Sequence, residues 1–282
     1  MYGIKFDKVT KSFGKNTVLK STSFYIQNGI TLFISENGTG KSTIIYSIAG
    51  FLRIQEGRIT VNGYDPVKNH TLALKDISIM PEVPSYFGSG KVSEHIDLFA
   101  RLRGICSSEI FEYLEYFGKQ SIKERRISSL SMGESQIMYI SCFLAGNYKI
   151  YLFDEPNSNL DQENRIKFAE ALKNKQKKDG SIFIVTSHIE DKISNYADNI
   201  LTIKNRKVMK YSSDTSSGYL LQLDNKEVVA GKFSGIDYFF YKNFLVVRNI
   251  GMSEIINLLG EEHIIEIRRI SGSMVSFYET FH

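Results

Sequence analysis

Residues 34–43 read ISENGTGKST. The stretch follows an apolar run, ITLFI at 30–34, and opens a helical pattern over about 41–51. A strand, a glycine-containing turn and a helix start in that order form a phosphate cradle. The backbone N–H groups of Ser35, Glu36, Asn37, Gly38, Thr39 and Gly40 and the positive end of the helix can surround phosphate oxygens. Gly38 and Gly40 let the backbone come close, where a Cβ would intrude. Lys41 offers a point charge to the β and γ phosphates, the Ser42 hydroxyl suits Mg²⁺, and Thr43 completes the motif. The pattern is the P-loop string GxxxxGK[ST] with one departure, since Ser35 stands at the opening glycine. Serine costs about 1–2 kcal/mol there only if the residue needs φ > 0. Its N–H is retained, so the cradle is expected to work.

A second group lies in IYLFDEP, residues 150–156. A lone Asp-Glu pair is usually a solvated loop. Here it ends a buried strand, at the edge where α/β sheets bind ligands. Asp154 can hold Mg²⁺ opposite Ser42, and Glu155 can polarise a water. A third segment, LSMGES at 130–135, has Ser131 and Glu134 spaced as a capping box at a helix start.

These residues need elements to carry them. Residues 2–27 read as extended, around a turn at Gly14-Lys15-Asn16. Strands are expected at 57–63, 76–80, 149–154 and 181–186, a helix over about 161–178, and a short helix near 190–197. NILTIKNRKVMKY (199–211) reads as a hairpin about Asn205-Arg206. From about 84 to 146 the spacing is helical, with Gly104 and Gly118 as stops. Strands alternating with helices indicate an α/β core with a parallel sheet, interrupted by this helical block. The polar stretch at 212–218 reads as a linker, and 219–282 as a small α+β appendage of strands around one helix, SEIINLLGE.

The chain has 282 residues with 42% hydrophobic and 23% charged, enough for a sizeable core. Its net charge of +4 is spread along the chain and gives no argument for nucleic acid as a partner. Cys106 and Cys142 sit in no metal-binding spacing. No signal peptide is visible, and no apolar run approaches the ~20 residues that span a bilayer. The expectation is a soluble, cytoplasmic chain whose membrane role, if any, runs through a partner.

Taken in order, the P-loop, LSMGES, the Asp-Glu strand, SNLD at 158–161 and the histidine after FIVTSH resemble the ATP-binding cassette (ABC) ATPase family over roughly residues 2–211. The resemblance implies a P-loop core with an antiparallel β subdomain and an inserted α-helical subdomain. It implies ATP and Mg²⁺ as cofactors, and residues 1–211 as the nucleotide-binding domain. Ser131 and Gly133 match the family signature, Asp161 its D-loop, His188 its switch histidine, and Phe13 the aromatic that stacks on adenine. Glu82 stands where the family usually has a glutamine that reaches Mg²⁺. Lys41, Glu155 and His188 would be catalytic. The signature would face ATP held by a second ABC ATPase subunit, identical or different, so that ATP forms part of a dimer interface.

The departures are Ser35, Glu82, Met132 and Glu134 in the signature, and Ile137 where an arginine usually follows it. Met132 adds bulk and Glu134 negative charge beside the partner's nucleotide, so hydrolysis is expected to be slow or partner-dependent. The first functional reading is the energising subunit of an exporter (ABC-2-like), peripheral on the inner face of the cell membrane beside a separate permease. The Pro81-Glu82 form of the glutamine loop and the C-terminal appendage favour export. The alternatives are a soluble ABC ATPase acting on ribosomes or DNA, and a weakly catalytic nucleotide-dependent regulator.

Overall fold

The computed structural model describes residues 3–82, 90–188, 192–211, 218–225, 229, 232, 238–241, 244–247, 252–260 and 263–270. The chain opens with β1 (Ile4–Phe13), β2 (Asn16–Ile26) and β3 (Ile30–Ile34), then α1 (Lys41–Ile48), β4 (Glu56–Val61), α2 (His70–Leu74) and β5 (Ile77–Met80). A helical block follows: α3 (Val92–Arg103), α4 (Ser107–Tyr116) and α5 (Met132–Leu144). Strand and helix then alternate through β6 (Ile150–Phe153), α6 (Gln162–Asp179), β7 (Ile182–Ser187), β8 (Asn199–Lys204) and β9 (Lys207–Lys210). The last elements are β10 (Gly218–Leu223), β11 (Tyr238–Tyr241), β12 (Phe244–Val247), α7 (Met252–Leu259) and β13 (Ile264–Ile270).

A six-stranded sheet in the order β5-β6-β7-β3-β8-β9 forms the core of the first unit. Its strands are parallel except for β9, which returns antiparallel to β8. Strands β3, β6 and β7 are buried along their whole length, as strands with both faces covered must be. Successive side chains alternate between two cores. Leu32, Ile34, Tyr151, Phe153, Phe183 and Val185 pack with residues of α3, α4, α5 and α6. Phe33, Ile150, Leu152, Ile182 and Ile184 pack with α1 and with β1, β2 and β4. Those last three strands form an antiparallel sheet in the order β2-β1-β4.

Strand order positions the site. Because β7 lies between β6 and β3 and all run the same way, the C-terminal ends of β3, β6 and β7 meet at one edge. These ends carry the glycine loop, Asp154-Glu155 and His188.

Some boundaries differ from the sequence reading. Helix α1 stops at Ile48 rather than near Phe51, because Gly50 takes φ 72° and the N–H groups of Phe51 and Leu52 both turn back to the Tyr46 carbonyl. The short helix near 190–197 is a 3₁₀ turn, Lys192–Tyr196, and residues 189–191 lie outside the described set. Helix α2 is too short to leave a periodic signal.

Residues 212–282 form a second compact unit. Among the described residues its strands lie in the order β11-β12-β10-β13, all antiparallel. Tyr219, Leu221 and Leu223 alternate along β10 and pack with Leu245, Val247, Ile255 and Leu259. Residues 212–217 of the expected linker lie outside the described set, and Gly218 opens β10.

Phe183 is fully buried and stacks on Tyr151 with ring centroids 4.8 Å apart. Replacing it with alanine is expected to destabilise the first unit by about 3–5 kcal/mol, read as a lowered midpoint in urea unfolding.

Candidate functional site

The glycine loop leaves β3 at Ser35. Gly38 and Gly40 adopt φ 78° and 113°, and a Cβ on Gly40 would stand 2.3 Å from the Val18 side chain. Position 40 therefore requires glycine twice over, for backbone conformation and for space. Gly40 is also the N-cap of α1, with no side-chain cap and no acid in the first turn. The helix thus presents its N–H groups and positive end uncompensated, an arrangement suited to an anion.

Lys41 is 5% exposed. Its Nζ donates to the carbonyls of Ser35 (2.6 Å) and Glu36 (3.2 Å) and to Asn37 Oδ1 (3.4 Å). It also forms an ion pair with Glu155 Oε1 at 3.1 Å. Thr39 closes the loop by donating to the Glu36 carbonyl, and Thr43 is buried in the first turn of α1.

Asp154 is fully buried, and its N–H donates to the Met80 carbonyl. Burial pushes its carboxyl above the usual carboxylate range; the hydrogen bond from Thr186, the neighbouring Ser42 hydroxyl and the charge of Lys41 act against this, while Glu155 reinforces it. Oδ1 accepts from Thr186 Oγ1 at 2.7 Å. Oδ2 is buried without a hydrogen-bond partner among the described residues. A buried, unpaired carboxylate oxygen beside a serine hydroxyl fits a small divalent cation that brings most of its own oxygen ligands. Among the described residues no three His, Cys, Asp or Glu side chains converge as a self-sufficient metal site.

Glu155 adopts φ 48°, an uncommon conformation for a residue with a side chain, and is held there from several directions. Its N–H donates to Thr186 Oγ1 at 2.9 Å. Its Oε2 accepts from the His188 N–H at 3.3 Å and lies 2.8 Å from His188 Nδ1. Glu155 thus sits between Lys41 from β3's loop and His188 from the end of β7, and Thr186 holds the Asp154 carboxylate and the Glu155 backbone at once. Sequence reading missed Thr186; the available signal was a hydroxyl two residues before the histidine in FIVTSH.

Glu82 is exposed one residue past Pro81, at the border of residues 83–89, which lie outside the described set. With burial and Asp154, its charge raises the Tyr46 phenol above its ordinary pKa, so both carboxylates act on one point of α1. Phe13 is 47% exposed at the end of β1, with Lys11 Nζ 4.6 Å from the centre of its ring.

Among the described residues no hydrogen bond or ion pair joins Ser131, Gly133 or Asp161 to the glycine loop. Ser131 caps α5: its Oγ accepts from the Glu134 N–H, and Glu134 Oε2 accepts from the Ser131 N–H. Glu134 Oε1 pairs with Arg125 at 2.7 Å, so the negative charge at this position is matched locally. Arg125 also donates to the Ser129 carbonyl. Met132 is 73% exposed. A Cβ on Gly133 would meet the Asn159 carbonyl at 3.1 Å, and Gln136 donates to the Pro156 carbonyl, so α5 is fastened to the segment after Glu155. Asp161 caps α6, and hydrogen bonds from Asn164 hold its carboxyl below the usual range.

A phosphate loop on the central strand and paired carboxylates on the next strand but one define a P-loop nucleoside-triphosphate-binding protein. The family model for ABC transporters matches residues 19–158. A putative ABC transporter ATP-binding protein of Pyrococcus furiosus is 31% identical over 204 residues, covering 70% of this chain and 75% of that protein. A lantibiotic transport ATP-binding protein of Streptococcus pyogenes is 26% identical over 230 residues, covering 81% and 99%. The solved ATP-binding subunit of an ABC transporter superposes with a TM-score of 0.65 at 24% identity, covering 73% of this chain and 88% of that one. The chain belongs to the ABC transporter family, as one of its ATP-hydrolysing, ATP-binding proteins.

Replacing Thr186 with valine removes one hydroxyl and leaves Asp154 Oδ1 and the Glu155 N–H unpaired. Each such loss costs about 1–3 kcal/mol. Phosphate-release assays should show ATP turnover reduced at least about tenfold, with serine at the position retaining most of it.

Proposed function

We propose that the protein is the ATP-hydrolysing subunit of an exporter whose membrane permease is a separate chain. The observation that carries the catalytic part is the arrangement of Lys41, Glu155 and His188 around one point at the sheet edge. In this reading the loop from Ser35 to Thr43 holds the phosphates of ATP. Lys41 turns to the β and γ oxygens and away from Glu155. Glu155, still fastened through Thr186 and His188, is then free to orient the attacking water. Ser42 and Asp154 hold Mg²⁺, with Glu82 reaching it directly or through water. Bound there, the ion would neutralise charge on the phosphate oxygens. Phe13 offers adenine the ring face that Lys11 leaves open.

Ser131, Gly133 and Asp161 act in trans in this proposal, on ATP held by a second ABC ATPase subunit. That no hydrogen bond or ion pair joins them to the chain's own glycine loop among the described residues supports that reading. Arg125 moderates the charge that Glu134 brings to the interface, which leaves the exposed Met132 as the main reason to expect slow turnover by the isolated chain.

Among the described residues no helix is long and apolar enough to cross a membrane, which supports a separate permease. An apolar groove of about 310 Å³ lies beside Pro81, lined by Phe99, Leu102, Arg103, Tyr139 and Phe143. Leu102 is 66% exposed there. The groove suits a short apolar or amphipathic helix of the permease, and in this reading the chain works at the cytoplasmic face of the membrane. The Pro81-Glu82 loop and the second unit, residues 212–282, support export.

Glu155→Gln keeps the shape of the side chain and removes its charge. Phosphate release is expected to fall at least about a hundredfold, while ATP is still bound and an ATP-dependent dimer accumulates in light scattering. Unchanged turnover would remove Glu155 from the chemistry.

A further inference from the structure

The residue that breaks the P-loop pattern, Ser35, has more partners than a loop-opening glycine could serve. It is 8% exposed and lies outside the left-handed region, so no backbone penalty attaches to its side chain. Strand β3 pairs with β8 as far as Phe33 opposite Leu201, and with β7 as far as Ile34 opposite Ser187. Continuing the β8 register places Ser35 opposite Ile203. There the chain is already leaving the sheet, and the side chain completes the pairing. Ser35 Oγ accepts from the Ile203 N–H at 2.7 Å and lies 2.9 Å from Thr202 Oγ1. On the other side the Ser35 N–H donates to the Ser187 carbonyl at 3.2 Å, next to His188. The Ser35 carbonyl is thereby free to point into the loop, where it makes the shortest of the Lys41 ammonium's contacts, at 2.6 Å.

We propose that Ser35 is a positioning residue of the nucleotide site: its hydroxyl satisfies β8 so that its carbonyl can hold Lys41. The physical reason is competition for one acceptor. The Ile203 N–H is interior and needs a partner. With glycine at position 35 the nearest acceptor would be the residue's own carbonyl, turned back toward β8 and away from Lys41. Serine supplies a second acceptor and separates the two duties. It also anchors the start of the phosphate loop to β8 and β7 together, which lowers the ordering needed when the loop closes on an anion. The serine therefore works as a replacement for the glycine, with a binding role of its own. Its effect passes through Lys41 and the loop backbone, and the hydroxyl itself does not touch phosphate. This inference rests on the reading of Lys41 as a phosphate ligand.

The test is MgADP affinity by calorimetry, together with kcat and KM for MgATP, on the full chain. The variants are Ser35→Ala, Ser35→Gly, Ser35→Thr, Thr202→Val and Lys41→Ala. Ser35→Ala is expected to weaken MgADP about fivefold to tenfold and raise KM similarly, with kcat within about twofold. Ser35→Gly should be no better than alanine, although it restores the usual motif. Ser35→Thr should bind within about twofold of wild type, and Thr202→Val, which keeps the Ser35 hydroxyl but removes its neighbour, should weaken binding about twofold. A purely structural role would lower thermal stability and leave affinity and KM alone. Wild-type affinity in Ser35→Ala or Ser35→Gly, or failure of threonine to restore binding, overturns the proposal. If Ser35→Ala does not fold, unchanged affinity in Thr202→Val overturns it. Loss of binding in Lys41→Ala supports the underlying reading whatever Ser35 does; equal binding by wild type and Lys41→Ala overturns both.

Discussion

The site is organised by a buried ion pair. Lys41 and Glu155 meet at 3.1 Å with side chains 6% and 7% exposed. Desolvating both charges is costly, and such a pair persists only where further hydrogen bonds satisfy what the partners leave over. Lys41 obtains these from the carbonyls of Ser35 and Glu36, and Glu155 from His188 at Oε2, while Glu155 Oε1 faces the lysine charge without a hydrogen bond. The pair also spans the sheet, since one member follows β3 and the other follows β6, with β7 between them. Thr186 on β7 fills the gap by bonding to both Asp154 and the Glu155 backbone. In the proposed function an arriving phosphate competes for Lys41, and whatever it takes from the lysine it releases at Glu155. Binding at the loop and readiness at the carboxylate are thus two ends of one contact.

The same economy runs through the periphery. The residues proposed to act on a partner's ATP are also caps, since Ser131 caps α5 and Asp161 caps α6. Gln136 and the close approach of Gly133 to Asn159 tie α5 to the segment that follows Glu155. A change in the position of Glu155 therefore has a mechanical route to the surface proposed to face a partner.

Much of this was legible in the sequence where function depends on local backbone. Gly38, Gly40, Lys41 and Ser42 announce themselves because a phosphate turn needs those types at that spacing, and Asp154-Glu155 because an apolar run ends there. The α/β core was readable because buried parallel strands are short apolar runs between helical patterns. What could not be read were contacts between distant segments. Thr186 acts on residues more than thirty positions away. Glu134 reads as an added negative charge in the sequence, whereas Arg125, nine residues earlier, pairs with it in the fold. Ser35 read as a mild substitution because its partners, Thr202 and Ile203, lie at the far end of the unit's sequence. The end of α1 is not legible in the sequence because a single glycine, Gly50, outweighs the apolar pattern that continues past it.

The central claim is that phosphate and Glu155 compete for Lys41. It is tested most directly by the calorimetric affinity of ADP, without hydrolysis, for wild type and for Glu155→Gln. Neutralising Glu155 leaves the ammonium without its acidic partner, so the account predicts ADP bound several-fold tighter by the variant, with the gain abolished when Lys41 is also replaced by alanine. Equal or weaker ADP binding by Glu155→Gln, or a gain that survives loss of Lys41, would contradict it.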